Sequence, residues 1–418
     1  MTKGIMIAAP SSGAGKTTLT LGLLRALNSK GHRFCSAKVG PDYIDPKFHE
    51  AASGHPCINL DPFAMNADRL KSLANGPDYL LVEAAMGLFD GAGIEGKGSA
   101  SHLAETLNLP VILCVDAAKQ AHSIAALVKG FVDHSKKATI CGVILNRVGS
   151  AKHEAMLRNA LEPLGIQILG AIPRSQDLTL PSRHLGLVQA EEHPDLSAFI
   201  EKAASIIGSH VDLDAVVNLT TTLPTTQNHH PIAPFAQRIA VAQDAAFSFI
   251  YPHLIRDWSD MGAEISTFSP LADQAPEDCD FVYLPGGYPE LYAGKMAANK
   301  NFLDGLRKAP CVYGECGGYM TMGKTLIDKD GHAHEMAGLL DLVTSFETPK
   351  LHLGYRKLSS HGFLDHDFYG HEFHYASTLK SSGMPLWRAQ DADGQDLGDM
   401  GLQSDAFAGS FAHIIDKG

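Results

Sequence analysis

The stretch Ala8-Ala-Pro-Ser-Ser-Gly-Ala-Gly-Lys-Thr-Thr18 decides the fold of the first half of this chain. The apolar run Gly4–Ala9 leads into it and the amphipathic stretch Thr17–Asn28 follows. A glycine-rich loop between a strand and a helix is the setting of a phosphate loop. Gly13 and Gly15 let backbone amides curl around phosphate oxygens, and the helix N-terminus adds its dipole. Lys16 then reaches the outer phosphates and the Thr17 hydroxyl binds Mg²⁺. The expected nucleotide-binding set is Gly13, Gly15, Lys16, Thr17 and Thr18, with ATP as the cosubstrate. Pro10 stands where the usual motif has its first glycine, which marks a variant loop.

Outward from this loop, short apolar runs alternate with helical patterns. Gly4–Ala9, Tyr79–Val82, Val111–Val115, Ile140–Leu145 and Ile166–Ile172 read as buried strands. Thr17–Asn28 carries Leu19, Leu23, Leu24 and Leu27 on one face, and Gly31 sits where a helix cap belongs. Such alternation predicts a parallel α/β sheet, whose ligands gather at the carboxyl ends of the strands. Two more strand ends carry charge. Lys38-Val-Gly-Pro-Asp-Tyr-Ile-Asp45 is one, and Val82-Glu-Ala-Ala-Met-Gly-Leu-Phe-Asp-Gly91 is the other. Glu83, and after it Asp45, are the expected carboxylates for a nucleotide-bound Mg²⁺ opposite Thr17. Lys38 is placed to pair with a substrate carboxylate. Asn146 and Arg147, at a later strand end, are placed near the nucleotide base.

The polar run Asn218-Leu-Thr-Thr-Thr-Leu-Pro-Thr-Thr-Gln-Asn-His-His-Pro231 breaks the pattern. It reads as part of a linker, 216–235, between a domain at 1–215 and another at 236–418. Beyond it the alternation resumes with Arg238–Ala242, Phe281–Leu284 and Cys311–Tyr313 as strands.

Cys311-Val-Tyr-Gly-Glu-Cys-Gly-Gly-Tyr-Met320 places Cys316 directly after an apolar strand, with Gly314 and Gly318 two residues to either side. This is the nucleophile-elbow spacing with cysteine in place of serine. A following helix N-terminus is expected to lower the thiol pKa. The Gly317 amide is one candidate oxyanion donor. Gly287, in Leu284-Pro-Gly-Gly-Tyr-Pro-Glu290, is a second. A thiol nucleophile needs a base. His371 and His374, in Gly370-His-Glu-Phe-His-Tyr375, are candidates, and so is His413, in Gly409-Ser-Phe-Ala-His-Ile-Ile-Asp416. Residue chemistry alone leaves that choice open. The His371/His374 spacing also suits a metal, but no cysteine or carboxylate partner is evident from the sequence.

With 418 residues the chain has room for two or three domains. Its net charge of −12 supplies no basic face for nucleic acid. Seven scattered cysteines with no CxxC pair argue against a disulfide scaffold or a zinc site. No signal peptide and no apolar run of membrane-spanning length are evident, so the cytoplasm is the expected location, with no membrane partner. A homodimer is compatible with the sequence.

Seven segments match one family in order and across nearly the whole chain. They are Ser11-Ser-Gly-Ala-Gly-Lys-Thr-Thr18, Val39-Gly-Pro-Asp-Tyr-Ile-Asp-Pro46, Met86-Gly-Leu-Phe-Asp-Gly91, Asp244-Ala-Ala-Phe-Ser-Phe249, Leu284-Pro-Gly-Gly-Tyr-Pro-Glu-Leu291, Gly314-Glu-Cys-Gly-Gly-Tyr-Met320 and Gly370-His-Glu-Phe-His-Tyr375. On these the chain resembles the cobyrinic acid a,c-diamide synthase family, which includes the hydrogenobyrinic acid enzymes. The resemblance implies an N-terminal P-loop domain of dethiobiotin synthetase-like type and a C-terminal class I-like glutamine amidotransferase domain, both α/β. It implies a carbon–nitrogen ligase that uses ATP, Mg²⁺ and glutamine. The a and c acetates of hydrogenobyrinic or cobyrinic acid would be amidated through an acyl phosphate, in cobalamin biosynthesis. It also implies that Cys316 is the nucleophile and that the base is His413, in Ser410-Phe-Ala-His413. Asp42, Tyr43 and Asp45, with Lys38, are then expected to position the corrinoid acid.

The pattern has departures. Class I glutaminases usually place a glutamate two residues after the base, where this chain has Ile415. Ala84 and Ala85 replace a common Gly-Val after Glu83. The shorter chain leans toward the metal-free substrate. The alternatives are cobyric acid synthase, nickel-sirohydrochlorin a,c-diamide synthase, a non-catalytic P-loop switch protein and a simple glutaminase.

Overall fold

The structure is a computed structural model that describes residues 1–134, 137–179, 182–183, 186–187, 190–193 and 195–417. It divides into two compact units. The first comprises Met1–Gly91 and Gly96–His230, and the second comprises Ala92–Glu95 and Pro231–Gly418.

In the first unit, β1 (Lys3–Ala8), β2 (Phe34–Val39), β3 (Ile58–Leu60), β4 (Tyr79–Glu83), β5 (Val111–Asp116), β6 (Ile140–Val148) and β7 (Gln167–Pro173) line up as β3-β2-β4-β1-β5-β6-β7. All six of these pairings are parallel. The sheet is buried on both faces, so its strands read as continuous apolar runs. Ile5, Ile7, Ile112 and Cys114 point into one core, while Leu113, Val115, Val143 and Leu145 point into another. Leu19, Leu23, Leu24 and Leu27 of α1 (Lys16–Ser29) fill the first core together with the helix Leu196–His210. Gly31, at φ 90°, closes α1 by donating to the Asn28 carbonyl at 3.0 Å. The chain leaves β1 toward β2 on one side and leaves β4 toward β5 on the other. This reversal opens a crevice at the carboxyl ends of those strands.

The run expected as a linker is structured at its start. Leu213–Asn218 is helical, and Thr222 and Thr221 pair antiparallel with Lys3 and Gly4. Further on, Thr226 and Asn228 donate to Asp68 at 3.0 and 2.8 Å. Polar threonines and asparagines, lacking an apolar period, bind here through hydrogen bonds instead.

The second unit has a sheet ordered Glu264–Phe268, Arg238–Ala242, Phe281–Leu284, Val312–Glu315, Phe407–Ser410 and Leu402–Gln403. Its first five strands run parallel and the last is antiparallel. The antiparallel half of this unit was not anticipated strand by strand. Five strands order as Asp396–Met400, Trp387–Gln390, His352–Ser360, Phe368–His374 and His413–Asp416. This second sheet carries His413. Among the described residues no helix is long and apolar enough to cross a membrane.

Candidate active sites

The crevice of the first unit is a cleft of about 940 Å³. It brings together Gly13, Gly15, Lys16, Thr17 and Thr18 with Lys38, Asp42, Asp45 and Glu83. Tyr43 is half-buried on the same loop but does not line the cleft. Gly15 has φ 91°, and a Cβ there would come within 2.3 Å of the Asn146 amide nitrogen. That amide donates to the Ala14 carbonyl at 2.8 Å, so Asn146 braces the loop itself. Lys16 donates to the carbonyl of Met86, a left-handed residue at φ 49°, at 2.5 Å. Burial holds the Lys16 pKa below its ordinary value. Arg147 pairs with Asp116 at 2.5 Å.

Around Glu83 the charges interlock. The Thr17 hydroxyl donates to Glu83 Oε1 at 2.8 Å and lies 3.3 Å from Asp45 Oδ2. Lys38 Nζ donates to Glu83 Oε1 at 2.8 Å and to Asp45 Oδ2 at 2.5 Å, and lies 3.8 Å from Asp42. The sequence reading missed the layer behind. His49 Nε2 meets Glu83 Oε2 at 2.7 Å, and Cys57 Sγ lies 3.4 Å from His49 Nδ1. Burial would raise the Glu83 pKa, but Lys38 and His49 hold it well below the usual carboxylate range. Burial would lower His49, yet Cys57 and Glu83 hold it at about 10. Three hard oxygens, from Thr17, Asp45 and Glu83, thus lie together, a donor set that would suit Mg²⁺.

In the second unit Cys316 ends the strand Val312–Glu315 and caps the helix Gly317–Met322 with φ 46° and ψ −102°. This is the sharp turn that the elbow spacing predicts. A Cβ on Gly318 would fall 2.0 Å from the Leu284 carbonyl oxygen, and one on Gly314 would fall 2.7 Å from the Gly318 backbone. The flanking glycines therefore answer to crowding by backbone. The Gly317 Cα lies beside the Gly287 amide, since a Cβ there would stand 3.2 Å from Gly287 N. The expected depressed thiol pKa is not found. Cys316 is 3% exposed, and burial followed by the nearby Glu290 pushes the thiol up despite the Gly317 N–H. A six-residue helix does not offset that desolvation.

His413 begins the strand His413–Asp416, opposite His371 in the register. Burial, then His371 and His374, lower its pKa to about 3, so the imidazole is neutral. Its Nδ1 lies 3.6 Å from Glu315 Oε2. The sequence reading overlooked Glu315, although it directly precedes Cys316. Ile415 is fully buried.

His371 and His374 share a strand, where residues three apart face opposite sides and cannot meet at one metal. His374 does meet the partners the sequence did not reveal: ligand atoms of His352, Glu372 and His374 lie within 4.8 Å of one another. Arg356 already neutralises Glu372 through contacts of 2.6 and 2.8 Å, so the cluster reads as an internal ion pair.

Comparison with known proteins matches residues 5–188 to the CobQ/CobB/MinD/ParA nucleotide binding domain and residues 238–417 to the CobB/CobQ-like glutamine amidotransferase domain. The hydrogenobyrinate a,c-diamide synthase of Brucella abortus is 53% identical, over 99% of this chain and 98% of its own. The chain belongs to the hydrogenobyrinate a,c-diamide synthase family. Relatives of the same name from Rhizobium meliloti and Rhodobacter capsulatus are 50% and 48% identical, covering 99% of this chain and 99% and 98% of theirs. The expected combination of a P-loop α/β domain and a glutamine amidotransferase α/β domain is borne out, and so is the family read from the seven segments.

Proposed function

We propose that this protein is a carbon–nitrogen ligase that uses ATP and glutamine to convert the a and c acetates of hydrogenobyrinic acid to amides. The observation that carries this reading is one chain, about half identical to the named synthases throughout, that holds both a phosphate-loop cleft and a strained cysteine elbow. Neither feature alone selects amidation. A phosphate cleft without an ammonia source serves many reactions, and a glutaminase has no use for a phosphate loop.

In the second unit the Cys316 sulfur attacks the side-chain amide carbon of glutamine while His413 takes the thiol proton. Amides of Gly287 and Gly317 receive the oxyanion. His413 returns the proton to the leaving nitrogen, ammonia departs, and water cleaves the glutamyl thioester to glutamate. Because thiol and imidazole are both neutral at rest, proton transfer accompanies attack. In the first unit a substrate carboxylate oxygen attacks the terminal phosphorus of ATP, giving an acyl phosphate and ADP. Ammonia then displaces phosphate and leaves the amide. Lys16 offsets charge on the transferring phosphoryl group. Thr17, Glu83 and Asp45 would hold Mg²⁺, which would neutralise phosphate charge. Lys38 and Asp42, which line the cleft, position the corrinoid acid, and the substrate named for the relatives supports its metal-free form.

The test is mass spectrometry of products from hydrogenobyrinate and cobyrinate, each with ATP, Mg²⁺ and glutamine. A gain of two amides on hydrogenobyrinate is expected. Unchanged substrate in both incubations would refute the assignment.

A further inference from the structure

A histidine that takes a proton at one ring nitrogen must carry its own proton on the other, and a carboxylate facing that second nitrogen fixes the tautomer. The position two residues after His413 cannot provide one, because Ile415 is apolar and buried. Asp416 turns its Oδ1 to the Lys417 N–H at 2.7 Å. The facing carboxylate comes instead from the other sheet of this unit, at the end of the strand Val312–Glu315. Glu315 Oε2 lies 3.6 Å from His413 Nδ1, and both side chains are almost wholly buried.

We propose that Glu315 is the positioning carboxylate of the glutaminase site, holding His413 as the Nδ1–H tautomer and offsetting the charge His413 gains from the Cys316 proton. This rests on the assignment of Cys316 and His413 as nucleophile and base.

Glu315 is itself pinned. Its Oε1 accepts the Ile414 N–H at 2.9 Å, and the Tyr283 hydroxyl donates to its Oε2 at 2.7 Å. The first of these bonds ties the carboxylate to the residue beside His413, so the two move together. All of these partners are neutral. Burial raises Glu315 to about 7, against the hydrogen bonds from Ile414, Tyr283 and Tyr313. A buried carboxylate without a resident cation is costly. The imidazolium formed during turnover supplies that cation, so the pair is stronger after proton transfer than before it. A separation of 3.6 Å is an ion-pair distance, and catalytic contacts that are long at rest tighten in the reacting complex. The other titratable groups acting on His413 are His371, His374 and Glu372, all on the strand paired with its own.

The experiment compares Glu315→Gln, Glu315→Asp and Cys316→Ala in the full chain, with glutamine and separately with an ammonium salt. Glu315→Gln should keep the Ile414 contact while losing the charge. Glutamine-dependent kcat is expected to fall by about 10²–10⁴-fold at nearly constant KM, with ammonium-driven synthesis retained. Glu315→Asp is expected to recover part of that loss. Nitrogen-15 spectra of His413 should show the Nδ1–H form in the parent and a mixture in Glu315→Gln. Glutamine-dependent turnover within about threefold of the parent overturns the proposal. So does equal loss with both nitrogen sources, which would assign Glu315 to the fold. If Cys316→Ala keeps glutamine-dependent synthesis, the underlying thiol assignment is what fails.

Discussion

The Lys38 ammonium lies 2.8 Å from Glu83 Oε1, the same oxygen that accepts the Thr17 hydroxyl. A lysine thereby occupies the ring of oxygens proposed for Mg²⁺. Removing it leaves Asp45 without its close cation and Glu83 with His49 alone. Lys38→Met should destabilise the Mg²⁺-free protein by about 3–5 kcal/mol, the usual outcome of breaking a buried pair. Urea denaturation would measure this, and added Mg²⁺ should recover part of it. Equal loss at every Mg²⁺ concentration would separate Lys38 from the proposed cation ring.

Cys316→Ala and Lys16→Ala should fail in opposite assays. The first should lower glutamine-dependent synthesis on the order of 10³-fold or more and leave ammonium-driven synthesis intact. The second should abolish synthesis with either nitrogen source while leaving slow glutamine hydrolysis. Undiminished synthesis by Lys16→Ala would sink the ATP-site reading.

Gly286→Ala adds one carbon at the worst place. Its Cβ would fall 2.2 Å from His413 Cε1, and the backbone there is not left-handed, so the effect is purely steric. The imidazole must move. The expected result is a drop of about 10²-fold or more in glutamine-dependent kcat, with a thermal midpoint much closer to the parent than that loss implies. Normal turnover would mean that the ring is free to relocate without harm.

The fold should also carry a pH signature through His49. Its folded pKa, about 10, exceeds the ordinary 6.5. A raised value contributes stability that is complete below the unfolded pKa and vanishes as pH rises through the folded one. The stability gap between the parent and His49→Gln should therefore be widest below about pH 6.5 and close toward pH 10. Denaturation curves across that range would show it, and a gap that grows with pH would contradict the His49–Glu83 pairing.

Much of this architecture is legible in the chain because local chemistry and tertiary role coincide. The phosphate-loop glycines are required by left-handed backbone and the elbow glycines by nearby backbone, so a few residues carry the whole signal. Lys38 and Glu83 sit at strand ends and Asp45 opens the helix after β2, and a parallel sheet collects such positions in one place. The antiparallel half was harder to read. The strand Ser377–Ser382 is mostly exposed and polar, and His352–Ser360 has no regular apolar alternation, so the period-2 signal is missing. His49 and Cys57 escaped notice because only the packing of the helix Asp45–Ser53 against β2 brings His49, with Cys57 beside it, behind Glu83. Glu315 escaped for another reason. A carboxylate beside a nucleophile reads as a strand-end residue until the packing of the second sheet shows that it faces His413.

The short strand Thr221–Thr222 bears on where this chain can be divided. It covers the side of β1 left open before β5 joins at Met6, and Leu223 presses against the Gly4 backbone. The last turn of the first unit is thus a clasp on the strand that delivers the phosphate loop. A fragment cut at residue 215 would release that clasp and bare the start of β1 to other chains, whereas one carried through residue 230 keeps it.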